Sequence, residues 1–317
     1  MDFNYPSNKE EKKTLKEQSM LICCKLYISE SRNTAALDLI EQMASLDRKT
    51  IIVNKFKDSA YNRIGYTLVS RIARDSSGEP EYISLRQIVL AMVEAAYQTI
   101  DLEMHLGAHP RLGVVDHIVF HPLSQASLEE AAWLAKLVAA DIANKLRVPI
   151  FLYEAAHQTG KALDTVRREL NYFQPNYKGN QWFGWPLPEV LPVQPDIGPS
   201  MVSQARGITI IGASRWVATY NVPVMSSDLL LTRKIARIVS ARGGGLQSVQ
   251  AIGLFHGEDS TEIVCKLLEP NHIGADQVQN QIEIVAAQEE LEVEKGYFTD
   301  FSPEMTVEKY WKLTSLD

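Results

Sequence analysis

A chain of 317 residues that is 45% apolar and 22% charged has the composition of one or two globular domains with a sizeable core. Its formal net charge of −7, with no long basic run, excludes phosphate-backbone binding as the main activity, because that affinity comes from clustered Lys and Arg. No apolar run approaches the roughly 18 residues of a membrane span, so neither a nucleic-acid nor a membrane partner is expected.

Residues 1–19 alternate in charge and lack the apolar stretch of a signal peptide, so they read as a flexible tail. Met20–Ile28 is apolar and β-prone, the first strand. Capping residues at 31–34 open a helix from Ala35 to Leu46, with Leu37, Ile40 and Met43 on one face. A second strand starts at Ile51, and a third runs from Tyr61 to Arg71. Ser84 caps a long helix whose Ile88, Met92, Ala95 and Ile100 keep helical spacing. Val114–Phe120 is the next strand. Ser127 and Glu130 then form a capping box for a helix to Leu146. Val148–Tyr153 is a strand and Gly160–Phe173 a charged helix, followed by an irregular, Pro- and Trp-rich excursion over 174–194. From Trp216 the pattern restarts: strand Val217–Val224, a helix with Leu231, Ile235 and Ile238 on one side, strand Val249–Phe255, strand Thr261–Leu268, helix Gly274–Glu290 and strand Glu292–Tyr297. That β-α-β-β-α-β order occurs twice, the first copy carrying an extra αβ unit. An α+β fold of two ferredoxin-like subdomains, each a sheet covered by helices, is therefore expected. Cys23, Cys24 and Cys265 make no complete disulfide framework, and free thiols fit a cytoplasmic, reducing compartment.

Chemistry concentrates in "HLGAHPRLGVVDH", residues 105–117, on the connection between a helix and a strand. His105 and His109 are four apart, as are His117 and His121, a spacing that raises a zinc site. Pro110 ends any helix there, so the first pair need not share a face, and no metal is expected. An acid/base reading needs one imidazole alone, poised near neutrality. Gly107 and Gly113 allow close approach, Pro110 stiffens the backbone, and the fork of Arg111 suits a carboxylate. The plain alternative is that His109 caps a helix and Arg111 pairs on the surface, and the residues alone leave both open. Asn62 and Arg63 begin a strand, where adjacent residues face opposite sides and at most one enters a given pocket. In "PDIGPSMVSQARGITIIGAS" two prolines and two glycines frame exposed backbone before a strand. Gly243–Gly245 lacks the strand-to-helix context and the Lys of a phosphate loop.

Taken together these residues resemble the formiminotransferase domain of formimidoyltransferase-cyclodeaminase, from about Met20 to about Leu313. "HLGAHPRLGVVD" looks like that family's His-x-Gly-x-His-Pro-Arg-Met-Gly-Ala-x-Asp signature, and "VPIFLYEAA", "PDIGPS", the Asn-Arg pair and "VQAIGL" follow in its order. The first strand departs from it: "KLYISES" keeps Ser29 and Glu30 of the family's Val-Pro-Asn-Phe-Ser-Glu-Gly but has Tyr27 and Ser31 for its Asn and Gly. No cyclodeaminase portion is expected.

The resemblance implies transfer of a formimino group from N-formimino-L-glutamate to tetrahydrofolate, a substrate rather than a resident group, in a cleft between subdomains 20–216 and 217–317. It implies His109 as the catalytic histidine, a folate-contacting loop of Gly198, Pro199, Ser200, Met201, Val202, Ser203, Gln204, Ala205, Arg206 and Gly207, and a homodimer. Arg111, Asn62 and Arg63 are the candidate contacts to a glutamate-type donor, with His105 and Asp116 orienting the site. The competing expectation is a folate-binding or interaction protein that has lost formimino transfer.

Overall fold

The computed structural model describes residues 19–314 except 79, 175–176, 179–180 and 184–188. Apart from Ser19 the expected tail lies outside the described residues, as does part of the 174–194 excursion.

Strand β1 (Met20–Ile28) shows how the first half is organised. Its alternation sends Ile22, Cys24, Leu26 and Ile28 into a core shared with helices α1 (Thr34–Ala44), α2 (Ile83–Thr99) and α3 (Leu128–Leu146). The opposite face begins apolar, with Leu21 and Cys23, and turns polar at Lys25 and Tyr27. With β2 (Thr50–Asp58), β3 (Arg63–Arg71), β4 (Val115–Ser124), β5 (Ile150–Glu154) and β6 (Thr209–Ala213) it forms a sheet of order β2-β3-β1-β4-β6-β5. The first four strands pair antiparallel, and β6 pairs parallel to both β4 and β5, which is the appended αβ unit. The capping box of α3 is present in both directions: Glu130 N–H donates to Ser127 Oγ at 3.1 Å, and Ser127 N–H to Glu130 Oε2 at 2.7 Å.

The second sheet has order β8-β9-β7-β10, built from β7 (Ala218–Val224), β8 (Val249–Phe255), β9 (Thr261–Leu267) and β10 (Tyr297–Phe298). Helices α5 (Leu229–Val239) and α6 (Ala275–Gln288) cover one face through Ile235, Val239, Val278 and Ile282. Both halves are thus α+β units with the split ferredoxin-like strand order. The strand expected over 292–297 arrives later, at Tyr297–Phe298, and Val293 makes only an isolated bridge to Val224. The expected charged helix shortens to α4 (Leu163–Glu169).

The last helix had no counterpart in the sequence reading. Helix α7 (Pro303–Thr314) returns to the first sheet and packs Val307, Tyr310 and Trp311 on Leu21, Cys23, Val53 and Val69. It covers the apolar end of the open face, so this last helix packs on the first half. The polar end of that face is left to the second sheet. Across this junction Lys25 donates to Asp300 Oδ2 and to the Val217 carbonyl, each at 3.0 Å, and Asn54 Nδ2 to the Thr299 carbonyl at 3.1 Å. Glu262 on β9, fully buried, accepts from Tyr297 Oη at 2.7 Å, from Asn221 Nδ2 at 2.8 Å and from Tyr61 Oη of the first half.

Candidate functional site

The floor of the cleft is the polar end of the first sheet. Tyr27 is paired with Gly65 on β3 and His117 on β4. A Cβ at Gly65 would stand 3.0 Å from the Tyr27 ring, so the missing side chain lets the phenol lie against the sheet. His117 stacks on Tyr27 with centroids 5.5 Å apart and planes 15° from parallel, and its Nε2 is 2.8 Å from Tyr153 Oη. The second sheet supplies the roof, with Thr219 and Asn221 on β7 and Val264 and Lys266 on β9. His109 of the knot and Arg167 of α4 stand beside the floor and line the same cavity as Arg63. A neighbouring cavity shares Tyr27, His117, Thr219 and Lys266 with it, and each encloses about 70 Å³. Small-molecule pockets typically run to about 300–1,000 Å³, so a bicyclic ligand requires the two sheets to part.

The knot is held tightly from behind. A Cβ at Gly113 would lie 1.9 Å from the Ile208 carbonyl oxygen and one at Gly107 2.3 Å from that of Tyr61, so neither position admits a side chain. Asp116, almost wholly buried, accepts from Leu112 N–H at 2.6 Å and from Arg63 at 2.8 Å. Ser29 Oγ donates to the Gly113 carbonyl at 2.7 Å. In this frame His109 Nδ1 is 2.6 Å from the Pro110 carbonyl oxygen, which can only accept. Nδ1 therefore carries the proton and the lone pair is on Nε2. Loss of hydration, and then the charge of Arg63, hold this imidazole well below its ordinary range, so it is neutral at pH 7.

The other expected site residues fall in different places. Arg63 lines the cavity and sits 5.2 Å from the Tyr27 ring. Arg111 does not reach the cleft: it is 2% exposed, donates to the His105 carbonyl at 3.2 Å, and burial lowers its pKa to about 10. Asn62, with φ of 48°, is a buried clamp that accepts from Ser31 N–H at 2.8 Å and donates to the Leu106 carbonyl at 3.0 Å. His105 Nε2 is 2.9 Å from the Asn62 carbonyl, and burial followed by the Arg111 charge lowers its pKa to about 3. Both shape the backbone beneath the knot. The loop from Gly198 to Gly207 runs behind the knot, where Gly207 bridges Gly113 and Arg206 donates to the Leu146 carbonyl at 2.8 Å. None of its ten residues lines the two cavities. His117 and His121 are buried, and separate partners hold them: Tyr153 for His117, and the Ser214 carbonyl at 3.0 Å for His121 Nδ1. Among the described residues no group of three His, Cys, Asp or Glu side chains stands close enough to hold a metal ion.

Sequence reasoning did not single out Tyr27 as cleft floor, nor Arg167, Lys266 or Glu262. A charged residue inside an otherwise apolar strand, as in "EIVCKLL", was the available signal for the last two.

The family described as "Formiminotransferase domain, N-terminal subdomain" matches residues 21–214. A formiminotransferase cyclodeaminase-like protein of Arabidopsis thaliana is 51% identical, over 93% of this chain and 98% of that one. A glutamate formimidoyltransferase of Thermoplasma acidophilum is 30% identical over 74% of this chain and 72% of its own. The formimidoyltransferase-cyclodeaminase of Sus scrofa is 29% identical over 76% of this chain, which spans 42% of that longer protein.

Proposed function

The chain belongs to the formiminotransferase family, and from that premise we propose that it moves a formimino group between N-formimino-L-glutamate and tetrahydrofolate, with His109 as the proton carrier. The observation that carries this reading is the tautomer of His109: Nδ1 is committed to the Pro110 carbonyl, leaving a neutral, basic Nε2 on a ring that lines the cleft. Attack of a folate ring nitrogen on the amidine carbon forms a C–N bond and a tetrahedral intermediate. Collapse of that intermediate breaks the bond to the glutamate nitrogen. One proton leaves the nucleophile and one reaches the departing amine, and a single imidazole serves both steps in turn. Arg63 lines the cleft, which Arg111 does not reach, and Asp116 positions it through its hydrogen bond. Incubating the protein with both substrates and following loss of formiminoglutamate tests the assignment.

A folate contact at 198–207 is part of the proposal, made where that loop meets the knot through the Gly113–Gly207 bridge. Saturating tetrahydrofolate should slow hydrogen exchange of the backbone amides from Gly198 to Gly207. Unchanged exchange there, with folate bound, would remove the loop from the site. The homodimer is also proposed. Light scattering at low micromolar concentration should give twice the 35.6 kDa of one chain, and a particle of single-chain mass would refute it.

One observation favours a second reading, a folate-binding or interaction protein without transfer. Tyr27, where the family motif has Asn, fills space on the cleft floor between the two small cavities. Folate binding without turnover by the wild type would select it.

A further inference from the structure

Two cations in the cleft make no ion pair among the described residues. Arg167 is 8% exposed, its Nε is buried without a hydrogen-bond partner, and its guanidinium lies over the Tyr172 ring at 4.4 Å. Among the described residues it makes no ion pair, and neither does Lys266, half-buried on the facing strand β9. The two other cations lining these cavities are neutralised: Lys25 by Asp300 at 3.0 Å and Arg63 by Asp116 at 2.8 Å. The acid lining the His109 cavity, Asp58, is engaged by His256 Nε2 and by Tyr61 N–H, each at 2.8 Å. Glu154 borders the neighbouring cavity with Lys266 but forms no ion pair with it. Arg63, Arg167 and Lys266 line one cavity, and burial and then the positive charges of Arg167 and Arg63 push the Lys266 ammonium well below its ordinary range. Holding lone cations out of water costs folding free energy, and a site that retains two such groups side by side does so for a ligand of opposite charge.

We propose that Arg167 and Lys266 form a carboxylate-binding subsite spanning the cleft beside His109. The proposal deepens the transferase reading by naming the residues that hold the anionic part of the substrate. Since α4 belongs to the first half and β9 to the second, a carboxylate held by both would link the two halves. The carboxylate comes either from the glutamate-type donor or from the glutamyl tail of the folate, and the test separates the two.

The full chain is titrated with glutarate, the simplest dicarboxylate of the right length, and separately with tetrahydrofolate, by calorimetry and by thermal shift. Lys266→Met and Arg167→Met are each expected to weaken glutarate binding about tenfold or more, as loss of a hydrogen bond between charged groups does. The ligand-free variants should melt at a higher temperature than the wild type, because an unanswered buried charge has gone. Lys266→Arg should restore most of the affinity. If the wild type ignores glutarate while Lys266→Met loses tenfold in tetrahydrofolate affinity, the carboxylate is that of the folate tail and the subsite stands. Glutarate and folate affinities unchanged in both Met variants would overturn it, as would a wild type that binds neither. A wild type that binds glutarate but shows no formimino transfer rejects the transferase reading alone.

Discussion

His109→Asn is expected to lower formimino transfer by about 10²- to 10⁴-fold, the usual worth of a general acid/base group, while folate affinity changes by a few-fold at most. The amide keeps a hydrogen-bonding side chain that can still address the Pro110 carbonyl, which Nδ1 approaches at 2.6 Å in the native chain. It cannot take and return a proton near neutrality. Because loss of hydration and Arg63 hold the imidazole well below its ordinary range, the wild type should keep its active base below pH 6.5, and the acid limb of kcat/KM should lie lower than that of a free imidazole. His105→Asn should behave differently. His105 is buried, and its Nε2 sits 2.9 Å from the Asn62 carbonyl, so its loss should lower stability more than the rate constant of the chemical step. Near-normal turnover by His109→Asn would remove this residue from the reaction.

The parts of the fold legible in the sequence were those set by local rules. The bounds of β1 and β8 follow from apolar runs ended by turn residues, and the start of α3 from a capping box whose two hydrogen bonds are both made. The repeated strand order followed from counting such elements. What was not legible depends on which face of a strand another part of the chain covers. His117 and His121 carried a metal-like spacing and no sign of burial, yet are 2% and 1% exposed, because the second sheet and the 213–217 connection close over them. Asn62 and Arg63 were both candidates, and only Arg63, the first residue of β3, lines the cleft, because Asn62 turns out of the strand at a φ of 48° and spends its side chain on the Leu106 carbonyl. Arg111 carried the right charge in the right motif, but its side chain is spent under the knot on the His105 carbonyl. Helix α7 had a readable stripe in Val307, Tyr310 and Trp311, and its docking on a strand nearly 300 residues earlier in the chain had no local sign.

Acidification should unfold this protein between about pH 5.5 and pH 4, with net uptake of at least two protons. His105 and His121 have folded-state pKa values lowered to about 3, by burial first and then by Arg111 and Lys25 respectively, and His117 and His109 are also held well below the ordinary range. In the unfolded chain each returns to about 6.5. The sign follows from linkage: between those values the unfolded chain binds more protons, so stability is whole above the unfolded pKa and falls as pH drops beneath it. Each such group costs about 1.4 kcal/mol per pH unit. By pH 5 His105 and His121 together have therefore cost about 4 kcal/mol, against a total of about 5–15 kcal/mol for a typical domain. His256 acts in the opposite direction. Its hydrogen bond to Asp58 raises its pKa, so its contribution is present below the unfolded value and lost as pH rises through the folded one. One such group offsets only part of the demand from four. Denaturant unfolding followed by tryptophan fluorescence from pH 7.5 to 5 should show the decline, and proton uptake across the acid transition can be read by pH-stat. His121→Gln keeps an amide donor for the Ser214 carbonyl that Nδ1 meets at 3.0 Å, and should flatten the slope by about 1.4 kcal/mol per pH unit. A stability that stays level from pH 7 to pH 5 would mean that these imidazoles are hydrated, and that the two sheets do not close over them in solution.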